Sequence, residues 1–316
     1  MDRPKDKVQI KVFGKVCFMV ETSPTLKPIQ PLPLHISETR RFLRVMFSRW
    51  IVILGSIILL MLIITAIFAP LLAPYDPNKV NLKESMQQPS VRHLLGTDEM
   101  GRDSLSRIIY GSRIAVIIGV VVVVAAGAVG MFLGLIAGYF GGWTETIIMR
   151  FMDALMSLPP LVLMLAIAVM LGGGFTKVFV ALAIGFTPTY CRLMCGEVLS
   201  VKENDYVMAA NVIGASHARI MFRHLVPNVF PTLLVMITMD LGFAILSEAS
   251  LSFLGIGINP PTATWGAMIN GGQHYLLTNP LLSITPGVAI VLVVLAFNLV
   301  GDGLRDALDP RLRGRI

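Results

Sequence analysis

Six long apolar stretches alternate with shorter polar segments along the chain. Runs that approach or exceed about 18 apolar residues are typical of helices that cross a lipid bilayer. Backbone groups in lipid must hydrogen-bond within the protein, so the pattern predicts an all-α, polytopic membrane protein with six transmembrane helices. The predicted spans run roughly from Trp50 to Leu72, from Ile114 to Tyr139, from Ile147 to Leu171, from Val178 to Met194, from Val229 to Leu254 and from Ile284 to Val300.

The third and fourth spans contain prolines near their middle. Pro159 and Pro160 are adjacent in the third span, where a missing N–H and the proline ring break the helical hydrogen-bond ladder. We expect a kink there, which is either a hinge for gating or a static bend. Pro188 and Arg192 lie in the fourth span, which is short.

A polar segment between the fourth and fifth spans has the pattern of helix, tight turn and helix. Asn204 or Asp205 is suited to begin the first helix, and Gly214 suits the left-handed position that ends it. Ser216 is suited to cap the second helix, and Pro227 is expected to stop that helix. The segment, about residues 195–228, is therefore predicted to be structured.

This segment carries small and cationic side chains at helical spacing. Ala209 and Ala210 would let the first helix lie close against a partner's groove. Arg219 and Arg223 are four residues apart and would share one face of the second helix. Two interpretations remain open, a docking site for another protein and an amphipathic helix lying on the lipid surface.

Lysine and arginine positions predict the orientation of the bundle. Ten precede Trp50, four lie in residues 192–227 and four follow Val300, whereas only six fall on the opposite side. The positive-inside rule therefore favours both termini in the cytoplasm. The net charge of +7 is then a topology signal, and no basic motif indicates a nucleic-acid partner.

Composition agrees with a membrane protein that has polar tails. Hydrophobic residues make up 55% of the chain, charged residues 14%, and the mean hydropathy is +0.74. Residues 1–49 are predicted to form a cytoplasmic tail, which includes the alternating stretch Lys7–Phe13 and rests on anionic membrane lipid through its lysines. A transmembrane domain over residues 50–303 and a cytoplasmic tail over residues 304–316 complete the predicted organisation.

Ionisable residues inside spans are costly and are candidates for the transport pathway. Asp240 and Glu248 lie eight residues apart on nearly the same side of the fifth span. For Glu248, a structural role is an equal alternative to substrate contact: a bond to a neighbouring helix that holds the bundle together. Asp153 is expected to pair with Arg150 near the cytoplasmic boundary.

A stripe of small residues marks a helix-packing face in the second span. Gly130, Gly134 and Gly138 are spaced four apart, and small residues allow close contact between helices in lipid. The partner of this face is either another helix of the same chain or a helix of a second subunit.

Several kinds of chemistry have no motif in this chain. It contains neither a Gly-x4-Gly-Lys-Ser/Thr phosphate loop nor an HExxH zinc motif, so we expect no catalytic residue, no metal site and no cofactor. Cys17, Cys191 and Cys195 do not form a disulfide framework. Carboxylates inside the spans are compatible with two functions. One is a proton-coupled carrier, and the other is an intramembrane aspartyl protease that uses Asp240 and Asp302.

The polar segment resembles the cytoplasmic EAA motif of ABC importer permeases. Met208 stands where that motif has Glu, and His224 stands where it has Ile. The residues that match at the motif's spacings are Ala209, Ala210, Gly214 and Pro227.

Four further blocks are similar to the C-type permease subunit of dipeptide, oligopeptide and nickel importers. They are Leu95–Arg107, Glu248–Gly257, Trp265–Gly266 and Asp302–Arg311. Within the first block, Thr97 or Asp98 is predicted to cap the helix that leads into the second span, and substrate contact is the alternative.

The resemblance implies an assembly in a bacterial or archaeal cytoplasmic membrane. Its expected partners are a related second permease, two cytoplasmic ATPase subunits that bind ATP and Mg, and an external substrate-binding protein. The residues implied in coupling to the ATPases are Ala209, Ala210, Gly214, Ala215, Arg219, Arg223 and Pro227.

Overall fold

Long apolar segments form helices throughout the computed structural model, which describes residues 38–308. A π-helical stretch, Ile220–Leu225, joins α9 to α10, and short 3₁₀ turns occupy Leu82–Glu84 and Gln273–Tyr275. The α-helices are α1 (Glu38–Met46), α2 (Trp50–Ile67), α3 (Ala69–Leu72), α4 (Ser104–Phe140), α5 (Gly142–Met156), α6 (Pro160–Leu171), α7 (Phe175–Val201), α8 (Asp205–Val212), α9 (His217–Arg219), α10 (Val226–Phe253), α11 (Trp265–Gly272) and α12 (Leu281–Leu308).

The helices confirm a polytopic membrane protein. Five are long and apolar enough to cross a membrane: α2, α4, α7, α12 and the continuous helical segment His217–Phe253. The pair α5 and α6 supplies a sixth crossing if the two are counted as one span. Within residues 38–308 no β-strand forms, and Thr97 and Asp103 make an isolated bridge.

The third span is broken rather than kinked. Helices α5 and α6 meet at an angle of 88° across a gap after Met156. Pro159 precedes α6 in an extended conformation, and Pro160 occupies the first helical turn, where its missing N–H costs no hydrogen bond. Two adjacent prolines therefore end one helix and begin another.

The second span begins ten residues earlier than predicted, at Ser104. Asp103 is its N-cap, and Asp103 Oδ2 accepts a hydrogen bond of 2.8 Å from the backbone N–H of Ser106. Thr97 and Asp98, the predicted caps, serve the preceding loop instead. Thr97 Oγ1 accepts from the Gln87 N–H at 2.8 Å, and Asp98 Oδ1 accepts from the Arg102 N–H at 2.9 Å. The prediction was wrong because the loop folds into turns before the helix begins.

Other predicted spans end at different residues from the observed helices. Helix α2 ends at Ile67 and a separate short helix carries Pro70, whereas α12 continues to Leu308, past the predicted end at Val300. Helix α7 has 27 residues and contains Pro188. The alternating stretch Lys7–Phe13 of the predicted tail and the last residues of the Asp302–Arg311 block lie outside the described residues.

Helices α4 and α7 form the most extensive helix pair of the bundle. Beside it, α10 and α12 pack together, and α2 packs against α12. The Asp153 carboxylate pairs with Arg192 of α7, and not with Arg150 as predicted, so this ion pair joins α5 to α7. Long-range packing selected the partner, whereas the prediction used spacing within one helix.

With α5 and α6 counted as one crossing, the order of the helices sorts the connecting segments onto two sides. Helix α1, the α4–α5 turn, the segment from α8 through the π-helical stretch and the end of α12 share one side. The loop of residues 73–103, the turn at residues 172–174 and residues 254–280 with α11 share the other. The two sides therefore carry different polar surfaces.

Candidate functional site

Helix α8 is anchored to the bundle by one face. Val207 is 1% exposed and Ala210 is 6% exposed, and both pack in a cluster with Ile220 and Leu225. Asn204 occupies the N-cap position, although its side chain makes no capping hydrogen bond there. The helix is therefore fixed against its own chain, and only its opposite face is free.

The turn after α8 follows the sequence prediction. Gly214 has φ 76°, the left-handed region that glycine adopts without steric cost. The Ala215 N–H donates to the Ala210 carbonyl at 3.0 Å, and the Gly214 N–H donates to the Asn211 carbonyl at 3.0 Å. The first of these bonds is typical of a Schellman turn, so α8 ends sharply and the chain reverses.

The second helix begins as predicted but does not stop at Pro227. Ser216 Oγ accepts from the Arg219 N–H at 3.4 Å. Pro227 lies in the first turn of α10, and the Val226 N–H donates to the Met221 carbonyl, five residues earlier. Because proline has no N–H and crowds the carbonyl four residues before it, the widened π turn carries the helix past Pro227.

Exposed apolar and cationic side chains surround this turn and form what we call the docking surface. Val212 is 87% exposed and Ile213 is 83% exposed, so two adjacent large apolar side chains lie uncovered where α8 ends. Ala209 reaches this surface, whereas Ala210 is buried, so the two alanines do not act as one pair. The docking surface comprises Met208, Ala209, Val212, Ile213, Arg219, Phe222 and Arg223.

Sequence analysis missed two contacts beside the docking surface: one joins α9 to α4, and the other joins the end of α7 to α4. The Tyr139 hydroxyl and His217 Nδ1 form a hydrogen bond of 2.7 Å between the end of α4 and the start of α9. Lys202 Nζ donates to the Gly138 carbonyl at 2.9 Å. These contacts bridge 78 and 64 residues of sequence, so no local pattern could indicate them.

The glycine stripe of α4 faces α7 of the same chain. A Cβ atom on Gly130 would lie 2.6 Å from the Thr187 carbonyl oxygen, and one on Gly134 would lie 2.7 Å from Met194 Cβ. Gly138 is similarly close to Val198. The end of α4 that contacts the docking surface is therefore in close contact with α7.

The two carboxylates of α10 have different surroundings. Glu248 is 3% exposed, and its Oε1 accepts a hydrogen bond of 2.6 Å from Ser252 Oγ of the same helix. Asp240 is half-buried and faces the Tyr190 hydroxyl. Among the described residues, neither Asp240 Oδ2 nor the Tyr190 hydroxyl has a hydrogen-bond partner of standard geometry.

The chain matches known permeases over most of its length. Residues 130–314 match the family described as binding-protein-dependent transport system inner membrane component, and residues 37–89 match the N-terminal TM domain of oligopeptide transport permease C. The probable D,D-dipeptide transport system permease protein DdpC of Escherichia coli (strain K12) is 42% identical over 261 residues, which cover 83% of this chain and 88% of that protein.

Two further relatives align over similar lengths. The dipeptide transport system permease protein DppC of Alkalihalophilus pseudofirmus is 37% identical over 295 residues, which cover 93% of this chain and 97% of that protein. The glutathione transport system permease protein GsiD of Pectobacterium atrosepticum is 42% identical over 275 residues, or 87% of this chain and 90% of that protein. The similarity thus includes both the bundle and the docking surface.

Proposed function

Because this chain belongs to the family of binding-protein-dependent transport system inner membrane components, we propose that it forms half of the translocation pathway of an ABC importer for short peptides. It is a non-catalytic membrane subunit, and permeases of this family work with ATPase and substrate-binding partners. The relatives named above are permeases for D,D-dipeptides, dipeptides and glutathione, which supports a short peptide as the cargo. The family relationship does not support a proton-coupled carrier or an aspartyl protease.

The docking surface is proposed to bind an ATPase subunit. Its apolar side chains Val212 and Ile213 are almost fully exposed, and Arg219 and Arg223 add positive charge beside them. A turn at Gly214 presents these groups, the Tyr139–His217 hydrogen bond connects the helix after the turn to α4, and the Lys202–Gly138 hydrogen bond joins α4 to the end of α7. Movement of a bound ATPase would therefore be transmitted to the bundle. Ala215 and Pro227 support this surface rather than forming it.

The proposed topology places the docking surface in the cytoplasm of a bacterial or archaeal cell, with both termini on the same side. The excess of lysine and arginine on that side supports this orientation. The proposed organisation is a cytoplasmic tail over residues 1–49, a membrane domain over residues 50–303 and a second tail over residues 304–316. The first tail includes α1, and α12 extends a short way into the second.

The proposed assembly contains a related second permease, two ATPases that bind ATP and Mg²⁺, and an external substrate-binding protein. Helices α5 and α6 carry large exposed apolar side chains, with Trp143 83% exposed and Met170 85% exposed, which either lipid or a neighbouring subunit would cover. Lipid and the second permease would share this surface.

Asp240 is proposed to line the pathway. The Asp240 side chain is only half-buried, and its Oδ2 lacks a hydrogen-bond partner among the described residues, so a rearrangement of the bundle that opened this site would let it contact passing substrate. Glu248 is a weaker candidate because Ser252 already occupies one of its oxygens and the side chain is buried.

The proposed function is tested by peptide uptake into proteoliposomes that contain the purified complex. We expect uptake of a labelled dipeptide that requires both ATP and the substrate-binding protein. A non-hydrolysable ATP analogue is the control for binding without turnover. Uptake that persists without ATP but collapses with the proton gradient would contradict the proposal.

A further inference from the structure

A cleft of about 300 Å³, lined by both apolar and polar side chains, lies on the side of the molecule opposite the docking surface. Its walls come from residues 98–107, the end of α10, the following loop at residues 255–262, and α11. A volume of this size is at the lower end of the range for small-molecule sites, about 300–1,000 Å³. The cleft is therefore large enough for the end of a short peptide.

Buried Arg107 and partly buried Arg102 share a single carboxylate in the cleft. Asp98 Oδ2 lies 2.7 Å from Arg102 Nε and 3.7 Å from Arg107 Nε. Asp103, the next carboxylate in the block, is occupied by Ser106 and His93 and makes no ion pair with either arginine. One positive charge is thus left without a close partner, and buried charges require one.

Both guanidinium groups keep free donors. Arg107 Nη1 donates to the Pro77 carbonyl at 3.0 Å, but within residues 38–308 no hydrogen bond uses Arg107 Nη2 or either Nη atom of Arg102. The planar fork of an arginine matches the two oxygens of a carboxylate. The unused donors therefore favour an anionic group with carboxylate geometry.

A third donor in the wall is also unused. Ser104 is 1% exposed and lines the cleft, and its Oγ has no hydrogen-bond partner among the described residues. An unmade hydrogen bond at a buried hydroxyl costs free energy, so a ligand that accepts this bond would recover the cost. On the opposite wall, Met268 and Leu282 provide an apolar surface for a side chain.

We propose that this cleft binds the free carboxylate end of a short peptide, with Arg102, Arg107 and Ser104 as the groups that contact the carboxylate. The inference rests on the proposed function, because the proposed topology puts the cleft on the outer side, where substrate arrives. Glu99 lies at the exposed rim of the cleft. Among the described residues, its carboxylate accepts one hydrogen bond, of 3.4 Å, from the Tyr275 hydroxyl. Its charge is placed to attract the ammonium group of the same peptide.

The experiment uses the assembled complex in nanodiscs, without the substrate-binding protein, and a dipeptide of alanine and photoleucine. After irradiation, mass spectrometry locates the labelled residues. We expect labels within residues 98–107 or 255–272, and about tenfold less labelling by the C-terminal amide of the same dipeptide, which has lost the carboxylate. Arg102→Gln and Ser104→Ala should reduce labelling by the free dipeptide to a similar degree.

Arg113→Gln is the matched control, because it removes one exposed positive charge from α4 outside the cleft. Ser104→Ala removes a hydroxyl that bonds nothing, so its folding should be normal. Equal labelling by the acid and the amide, or an equal loss with Arg113→Gln, would overturn the carboxylate site even if the complex takes up peptide. If a complex is labelled specifically but shows no ATP-dependent uptake, the result would support the carboxylate site and overturn the proposed function.

Discussion

At the scale of single residues, glycines set the distance between the two central helices. Gly130, Gly134 and Gly138 bring the α4 backbone against α7, where a Cβ would meet backbone or Cβ atoms rather than flexible side-chain ends. Such atoms cannot move aside cheaply, so the contact has little tolerance for added volume. The stripe predicted from sequence has its partner within the chain.

Gly134→Ala is expected to destabilise the bundle by about 1–3 kcal/mol, because the added methyl overlaps Met194 and the Cys191 carbonyl. Thermal unfolding of the purified protein in detergent should show a lower Tm. Gly196→Ala is the control, since a Cβ at Gly196 meets no atom within 4 Å. Equal Tm values for the two variants would show that α4 and α7 are not in close contact.

Asp103 is the second residue on which local structure depends. Its carboxylate caps α4 through the Ser106 N–H at 2.8 Å and also bonds His93 at 2.9 Å. Asp103→Ala should destabilise the protein by at least about 1–2 kcal/mol, because the cap is lost and buried His93 loses its partner. Asp98→Ala should leave the start of α4 unchanged, as judged by protection of the Ser106 and Arg107 amides from hydrogen exchange. Comparable loss of protection in both variants would contradict the assignment of the cap.

Single-residue rules predicted some of these features and missed others. The turn at Gly214 and the cap at Ser216 depend on local backbone geometry, and both appear at the predicted positions. Asp103 was missed as a cap because Thr97 and Asp98 fit the same rule, and only the folded loop decides among them. Arg192 was missed as the partner of Asp153 because the contact joins two helices.

At the scale of elements, the helix that leaves the docking surface continues into the membrane. The segment His217–Phe253 passes through a π-helical stretch at Ile220–Leu225 without a break. A proline in the sequence predicts where a regular α-helical turn cannot form. Whether the helix then ends or continues through a π-helical turn depends on the packing of the neighbouring residues. Here Ile220 and Leu225 are fully buried, which favours a continuous helix. At Pro159 the chain instead has exposed neighbours, and the helix breaks.

The Tyr139–His217 hydrogen bond should transmit movement between the docking surface and α4. Tyr139→Phe removes the hydroxyl and keeps the ring contacts with His217, so ATPase binding should persist. We expect fewer peptides imported per ATP hydrolysed, by roughly twofold to tenfold, as the bond contributes about 1 kcal/mol. Tyr206→Phe, which removes an exposed hydroxyl from α8, is the control. An unchanged ratio in the Tyr139 variant would remove this contact from the coupling route.

At the scale of the whole molecule, the two sides of the bundle carry different surfaces. The docking surface lies on the side that has most of the lysine and arginine, and the cleft lies on the other. Hydropathy predicted a polytopic helical protein because lipid restricts the chain strongly, and its six predicted spans compare with five long helices and the bent pair of α5 and α6. It did not predict α11 or the cleft, since these depend on contacts such as that of Trp265 Nε1 with the Ile108 carbonyl at 3.1 Å.

Cysteine accessibility tests the proposed orientation. In a background where Cys17, Cys191 and Cys195 are replaced by alanine, Leu277→Cys should react with a membrane-impermeant maleimide in intact cells. Val212→Cys should react only after the membrane is opened. Both positions are highly exposed in the structure, so the side of the membrane on which each cysteine lies decides whether it reacts in intact cells. The reverse pattern would place the docking surface outside the cell.

The most direct test of the central claim compares Gly214→Val with Gly142→Val in the purified complex. Both glycines have positive φ, at 76° and 55°, and neither would place a Cβ within 4 Å of another atom, so the two substitutions impose a similar backbone strain. Only Gly214 supports the docking surface. We predict that Gly214→Val inserts into the membrane normally but loses ATPase co-purification and peptide uptake, while Gly142→Val keeps both. Normal uptake and co-purification in Gly214→Val would contradict the proposed role of the docking surface.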